Sequence, residues 1–142
     1  MIVRELMTSA VVSVPADTPV LEARQEMLKQ QIRHLPVTRG RELLGIVTDR
    51  DIRLNLPSTA TSLSVWEMNY LLTKLTVEQV MTRTVITVAS SRPARDAAQL
   101  MLDHKIGALP VVDSGQLVGI VTETDLLRAF VRMATPEGAP RR

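Results

Sequence analysis

Apolar positions recur along the chain in two rhythms. Val20, Ala23 and Met27 stand at helical spacing after Thr18 and Pro19, so the pattern predicts a helix with Thr18 as N-cap and Pro19 at its first position. Pro93, Ala94, Ala97, Ala98, Met101 and Leu102 repeat that pattern further on. Short β-rich runs precede both helices, at Val11–Val14 and Val85–Val88. Two apolar runs follow each helix: residues 35–38 and 43–47, then 109–112 and 117–121. These lack strict alternation, which predicts strands buried on both faces. Turn residues separate them, at Arg39–Glu42 and Asp113–Gln116. A last helix begins near Asp49 and again near Glu123. The order strand, helix, strand, strand, helix occurs twice and predicts an α+β fold.

The two series of elements are one pattern repeated. A shift of 74 positions lays residues 3–54 over 77–128 without a gap, and 20 of the 52 aligned pairs are identical. Two such units predict pseudo-two-fold symmetry and paired sites rather than one catalytic centre. The boundaries read as 1–55 for the first repeat, 56–76 for a linker with a short helix, 77–134 for the second repeat and 135–142 for a flexible tail. The helix in the linker, Ser64–Leu75, carries Trp66 and Tyr70, two of three aromatics. It is expected to anchor against the core, with a second subunit as the other candidate. Met27, Met68, Met101 and Met133 read as core fillers.

Composition narrows the function. At 142 residues with 45% apolar content the chain can form one compact protein, although about 50 residues per repeat is marginal for an independent core. With no cysteine, thiolate catalysis and disulfides are excluded. That fits a cytoplasmic protein, and neither a signal peptide nor an apolar run of membrane-spanning length is read. Net charge is +2, and the cations are scattered except for Arg141–Arg142, so nucleic acid is an unfavoured partner. No metal-ligand spacing, nucleophile–base pair or Walker-type glycine loop is visible, which argues against an enzyme.

The chemistry concentrates in Gly-Ile-Val-Thr-x-x-Asp, at 45–51 and 119–125. A strand glycine leaves room for another backbone or a ligand. A hydroxyl at a helix start suits a phosphate oxygen, and a carboxylate can accept from both hydroxyls of a ribose. The same spacing also makes a capping box, with Thr48 as N-cap and Asp51 at the third helical position. Both roles can coexist.

These motifs, with Val-x-x-x-Met-Thr at each start and Leu-Pro-Val in each middle, resemble a tandem cystathionine-β-synthase (CBS) domain pair, or Bateman module. The resemblance covers about 130 residues. It implies two β-α-β-β-α repeats packed sheet to sheet, with clefts that bind AMP, ADP, ATP or S-adenosylmethionine as regulatory ligands and require no cofactor. Carried over, one cleft uses Thr48 for phosphate and Asp51 for ribose, Arg33 and His34 as basic contacts, and Thr82, Thr84, Val85 and Ile86 around adenine. The other uses Thr122 and Asp125, with Thr8, Ala10, Val11 and Val12 around the base. There Gly107–Ala108 replace Arg33–His34, which implies fewer phosphates, an uncharged adenosine derivative or an empty cleft. The resemblance further implies a homodimer and a separate protein effector. The alternatives are a ligand-free scaffold and, less favoured, a nucleic-acid-binding regulator.

Overall fold

The computed structural model describes residues 1–56 and 64–134. Its elements are α1 (Val3–Leu6), α2 (Val20–Gln30), β1 (His34–Arg39), β2 (Glu42–Thr48), α3 (Asp49–Asn55), α4 (Val65–Lys74), α5 (Val77–Val80), α6 (Ala94–His104), β3 (Ala108–Asp113), β4 (Gln116–Thr122) and α7 (Glu123–Met133). Two compact units form, and they are not the two repeats. One comprises Val12–Val85; the other comprises Met1–Val11 with Ile86 onward. Each unit therefore holds the helix–strand–strand–helix body of one repeat and the lead-in segment of the other.

In the Val12–Val85 unit, β1 and β2 form an antiparallel hairpin that pairs Leu35 with Val47 and Val37 with Gly45. Gly40 closes the turn at φ +60°, a conformation that a Cβ disfavours. Val20, Ala23 and Met27 form the buried stripe of α2 and pack with Leu35, Val37, Val47, Ile52 and Val77. Val77 belongs to the lead-in of the second repeat, so this core closes only with that borrowed residue. The helix ends at Gln31 in the left-handed region, and the Gln31 N–H donates to the Leu28 and Met27 carbonyls. In the other unit, Val88, Ala97, Met101, Leu109, Val111 and Val121 pack round Val3, which α1 supplies. The β3–β4 register repeats that of β1–β2, bulge included.

Four expectations need correction. The runs at 11–14 and 85–88 are single bridges, Val14 to Val37 and Val88 to Val111, rather than strands. Val14 donates to the Pro36 carbonyl at 3.1 Å and accepts from Thr38 at 2.9 Å. The next rung of a parallel ladder would need an N–H at Pro36, which proline lacks; Pro110 stops its partner in the same way. The N-caps fall one residue later, at Pro19 and Pro93. Thr18 is buried, and its carbonyl accepts from the Val77 N–H at 2.9 Å. The linker helix α4 buries none of its residues, and Trp66 is 85% exposed, so its aromatics do not anchor to the core. Lys74 instead lies over the Tyr70 ring, 4.4 Å from its centre. Of the four methionines expected to fill cores, Met27 and Met101 do so, Met68 is half-buried, and Met133 is 69% exposed. The rest of the linker loop (57–63) and the tail (135–142) lie outside the described residues.

Candidate ligand site

The exchange of lead-ins assembles the predicted residues. In the Val12–Val85 unit, β2 runs between two neighbours near its end. His34 of β1 pairs with Thr48 on one side. On the other, Ile46 and Thr82 exchange two backbone hydrogen bonds, of 3.0 and 2.9 Å. The Arg33 carbonyl accepts from the Asp49 N–H at 3.0 Å, which ties the start of α3 to the residue before β1. Arg33, His34, Thr48, Asp51 and Thr82 are thus drawn together around the end of one strand, and Thr84 and Val85 continue along the same lead-in. Ile86 lies beyond the unit boundary and packs against the other core.

Gly45 makes this approach possible. A Cβ there would stand 2.7 Å from the Thr82 carbonyl oxygen and 2.6 Å from Met81 Sδ. The room that the glycine leaves is filled by the borrowed backbone, not held open for a ligand. Gly119 does the same for Met7 and Thr8.

The capping boxes are present in both copies. Thr48 Oγ1 accepts from the Asp51 N–H at 3.1 Å, and Asp51 Oδ2 accepts from the Thr48 N–H at 2.9 Å. In the other unit Thr122 Oγ1 accepts from the Asp125 N–H at 3.3 Å, and Asp125 Oδ2 accepts from the Thr122 N–H at 2.8 Å. Each box uses one carboxylate oxygen. Among the described residues the second, Oδ1, takes no hydrogen bond in either copy. A cap and an acceptor for a ligand hydroxyl can therefore share one aspartate.

The second set follows the same plan. Thr122 pairs with Ala108, and Ile120 exchanges hydrogen bonds of 2.9 and 3.0 Å with Thr8. Ala10 and Val11 follow in the same unit, while Val12 falls in the other one and packs against its core. The Gly107 carbonyl accepts from the Glu123 N–H at 3.0 Å, as Arg33 does from Asp49. One residue was missed by reading the sequence. The Glu123 carboxylate lies 3.4 Å from where a Cβ on Gly107 would stand. Only the hairpin register, with position 108 opposite 122, could have revealed it. No group of His, Asp or Glu capable of holding a metal occurs among the described residues.

The sequence model of the CBS domain matches residues 3–58 and 77–132. The chain belongs to the CBS domain family, as a tandem pair, and so to a class of regulatory modules. It is 31% identical over 137 residues to a CBS domain-containing protein of Dictyostelium discoideum, covering 95% of this chain and 94% of that one. The CBS domain pair of protein MJ0100, solved in complex with 5′-methylthioadenosine and S-adenosylmethionine, superposes with a TM-score of 0.77 at 29% identity, over 94% of this chain and 98% of that one. A Vibrio cholerae protein named for acetoin utilization, AcuB, gives 0.79 at 29% identity, over 94% and 92%. The chain also matches an L-aspartate semialdehyde sulfurtransferase of Methanocaldococcus jannaschii at 30% identity, over 91% of its own length but only 23% of that enzyme. Among the described residues no helix is long and apolar enough to cross a membrane.

Proposed function

We propose that the chain is a non-catalytic sensor that binds adenosine-containing ligands at the two sites and passes their occupancy to a separate protein effector. The observation that carries this reading is the exchanged lead-in. In each unit it brings Thr82 or Thr8 beside the strand that ends in Thr48 or Thr122, with the matching aspartate one helical turn on. Asp51 and Asp125 would accept from ribose hydroxyls through Oδ1. The Thr48 hydroxyl, Arg33 and His34 would meet phosphate. Thr82, Thr84 and Val85 would line the base at one site, and Thr8, Ala10 and Val11 at the other. The ligands bound by the MJ0100 pair support an adenosine group as the common element. Control of an effector requires different affinities for two conformations. A cytoplasmic homodimer is the expected form, and the exposed Leu127, Phe130 and Val131 on α7 offer it an apolar contact.

The closed capping boxes favour a second reading, a scaffold in which Thr48, Asp51, Thr122 and Asp125 only start helices. Calorimetric titration of nucleotide-stripped protein with AMP, ADP, ATP, S-adenosylmethionine and NAD separates the two. Saturable binding lost site by site in Asp51→Asn and Asp125→Asn supports the sensor. No heat, with an unchanged melting temperature at high ligand concentration, supports the scaffold.

A further inference from the structure

We propose that the carboxylate of Glu123, which lies beside Gly107 and has no ion-pair partner among the described residues, disfavours a 5′ phosphate at the Thr122–Asp125 site, so that this site takes adenosine derivatives with a neutral or cationic 5′ substituent. The inference rests on the adenosine-binding reading above and goes beyond it to the selectivity of each site.

The contrast is carried by equivalent positions 74 residues apart. The positions beside Thr48 and Asp51 in the chain and across the hairpin carry Arg33, His34, Arg50 and Arg53, with Asp49 and Asp51 as the carboxylates. Asp49 is neutralised in place, because Arg53 Nε lies 3.0 Å from its Oδ2. In the other unit the matching positions are Gly107, Thr124, Leu127 and Ala108, against Glu123 and Asp125. At these positions three arginines and two carboxylates become two carboxylates and no arginine, while Leu54 is matched by Arg128 and Gln31 by Lys105. Leu127 takes the position from which Arg53 would answer Glu123, and Glu123 makes no ion pair among the described residues. Lys105 and Arg128 are the nearest cations along the chain, and neither bridges to it.

Geometry sets that charge against Gly107, the position that matches Arg33. The backbone bond from Glu123 to Gly107 fixes the two residues together, and the bare Cα of Gly107 lets the carboxylate lie against it. Arg33, the counterpart of Gly107, is assigned to phosphate at the first site. The second site therefore keeps a carboxylate at the start of its last helix but has no arginine at position 107 beside it. A phosphate there would meet like-charge repulsion, moderated by the exposure of Glu123 to solvent. A thioether would be indifferent to it, and a sulfonium would be attracted. Glu123 acts as a selectivity residue and leaves recognition of the ribose and base to Asp125 and the lead-in.

The test compares AMP, 5′-methylthioadenosine and S-adenosylmethionine by calorimetry, in an Asp51→Asn background that leaves one site. The two methylthio or sulfonium compounds should bind more tightly than AMP by on the order of tenfold or more. Glu123→Gln should reduce that ratio, chiefly through tighter AMP binding. Gly107→Arg, whose Cβ would stand at ordinary contact distance from Glu123, should reduce it further. Binding that Asp125→Asn abolishes, but whose AMP to methylthioadenosine ratio is near one or unmoved by Glu123→Gln, overturns the charge assignment and leaves the sensor reading standing. Failure of all three compounds to bind the wild-type protein overturns both. Melting temperatures of the variants show whether a lost signal reflects lost fold.

Discussion

Ser90 is joined to Asp113 twice: its N–H donates to Asp113 Oδ1 at 3.0 Å and its hydroxyl donates to Oδ2. Ser90 is buried, and it also receives Arg4. The guanidinium donates to Ser90 Oγ at 3.1 Å and the Arg4 N–H donates to the Ser90 carbonyl at 2.9 Å. The cluster fastens α1 into its unit. At the equivalent place in the other unit, the Glu78 N–H donates to the Ala16 carbonyl at 3.2 Å, so the backbone contact is kept. The side chains differ in sign: Glu78 stands for Arg4, and Arg39 for Asp113.

That cluster makes stability depend on pH. The Ser90 hydroxyl and N–H hold the Asp113 carboxyl below its ordinary 3.8, with the Arg4 charge adding to them against the effect of burial. A depressed folded value contributes stability in full above 3.8, and that stability is lost as pH falls from there through the folded value. Asp113→Asn should therefore lower the melting temperature at neutral pH. Its deficit should shrink below pH 3.8 as the wild type loses the same interaction. A deficit that stays constant through that range would assign the stability to something other than the charge.

Gly45→Ala and Gly119→Ala are expected to destabilise by about 1–3 kcal/mol each, because the added methyl meets the borrowed backbone. Gly40→Ala meets nothing within 4 Å and should lose only about 1 kcal/mol, from its positive φ. Denaturant midpoints measure both. An equal loss at Gly40 and Gly45 would mean that the lead-in does not approach β2 so closely.

Thr48→Ala removes the oxygen that accepts from Asp51 N–H and should destabilise by about 1 kcal/mol, with Thr48→Ser restoring most of it. Thermal melts without ligand isolate the capping role from any binding role. A stable Thr48→Ala protein would show that the cap is dispensable.

Trp66→Ala should change stability by less than about 0.5 kcal/mol, since the ring is 85% exposed and α4 buries nothing. A loss of several times that in the dilute protein would mean that the ring is covered in solution.

Most of the architecture was legible because each copy of the pattern checks the other. The hairpins, their turns and the capping boxes follow from local spacing, and Leu35, Val37 and Val47 are buried as apolar runs imply. What escaped was set by partners distant in sequence. Nothing local says that Val77 closes the core around Val20, or that Val3 closes the core around Val88. Pro36 ending a ladder was visible only once its neighbour was known. Trp66 was misplaced because aromatic content signals burial without saying what does the burying. At the candidate site, Thr48, Asp51 and Thr82 were named from the motifs and the fold brings them near one another, whereas Glu123 emerged only from its closeness to Gly107.

The traded lead-ins also bear on how such a chain could arise. A lone copy of the repeat owns a segment that must insert beside a β2-like strand, but in this protein that strand always belongs to the other copy. A single-repeat ancestor could satisfy both needs by reciprocal exchange with an identical molecule. Duplication and fusion would then turn an encounter between two molecules into a permanent tether. Tethered copies need not stay identical, and positions 33 and 107 differ in chemistry while keeping the same backbone contact.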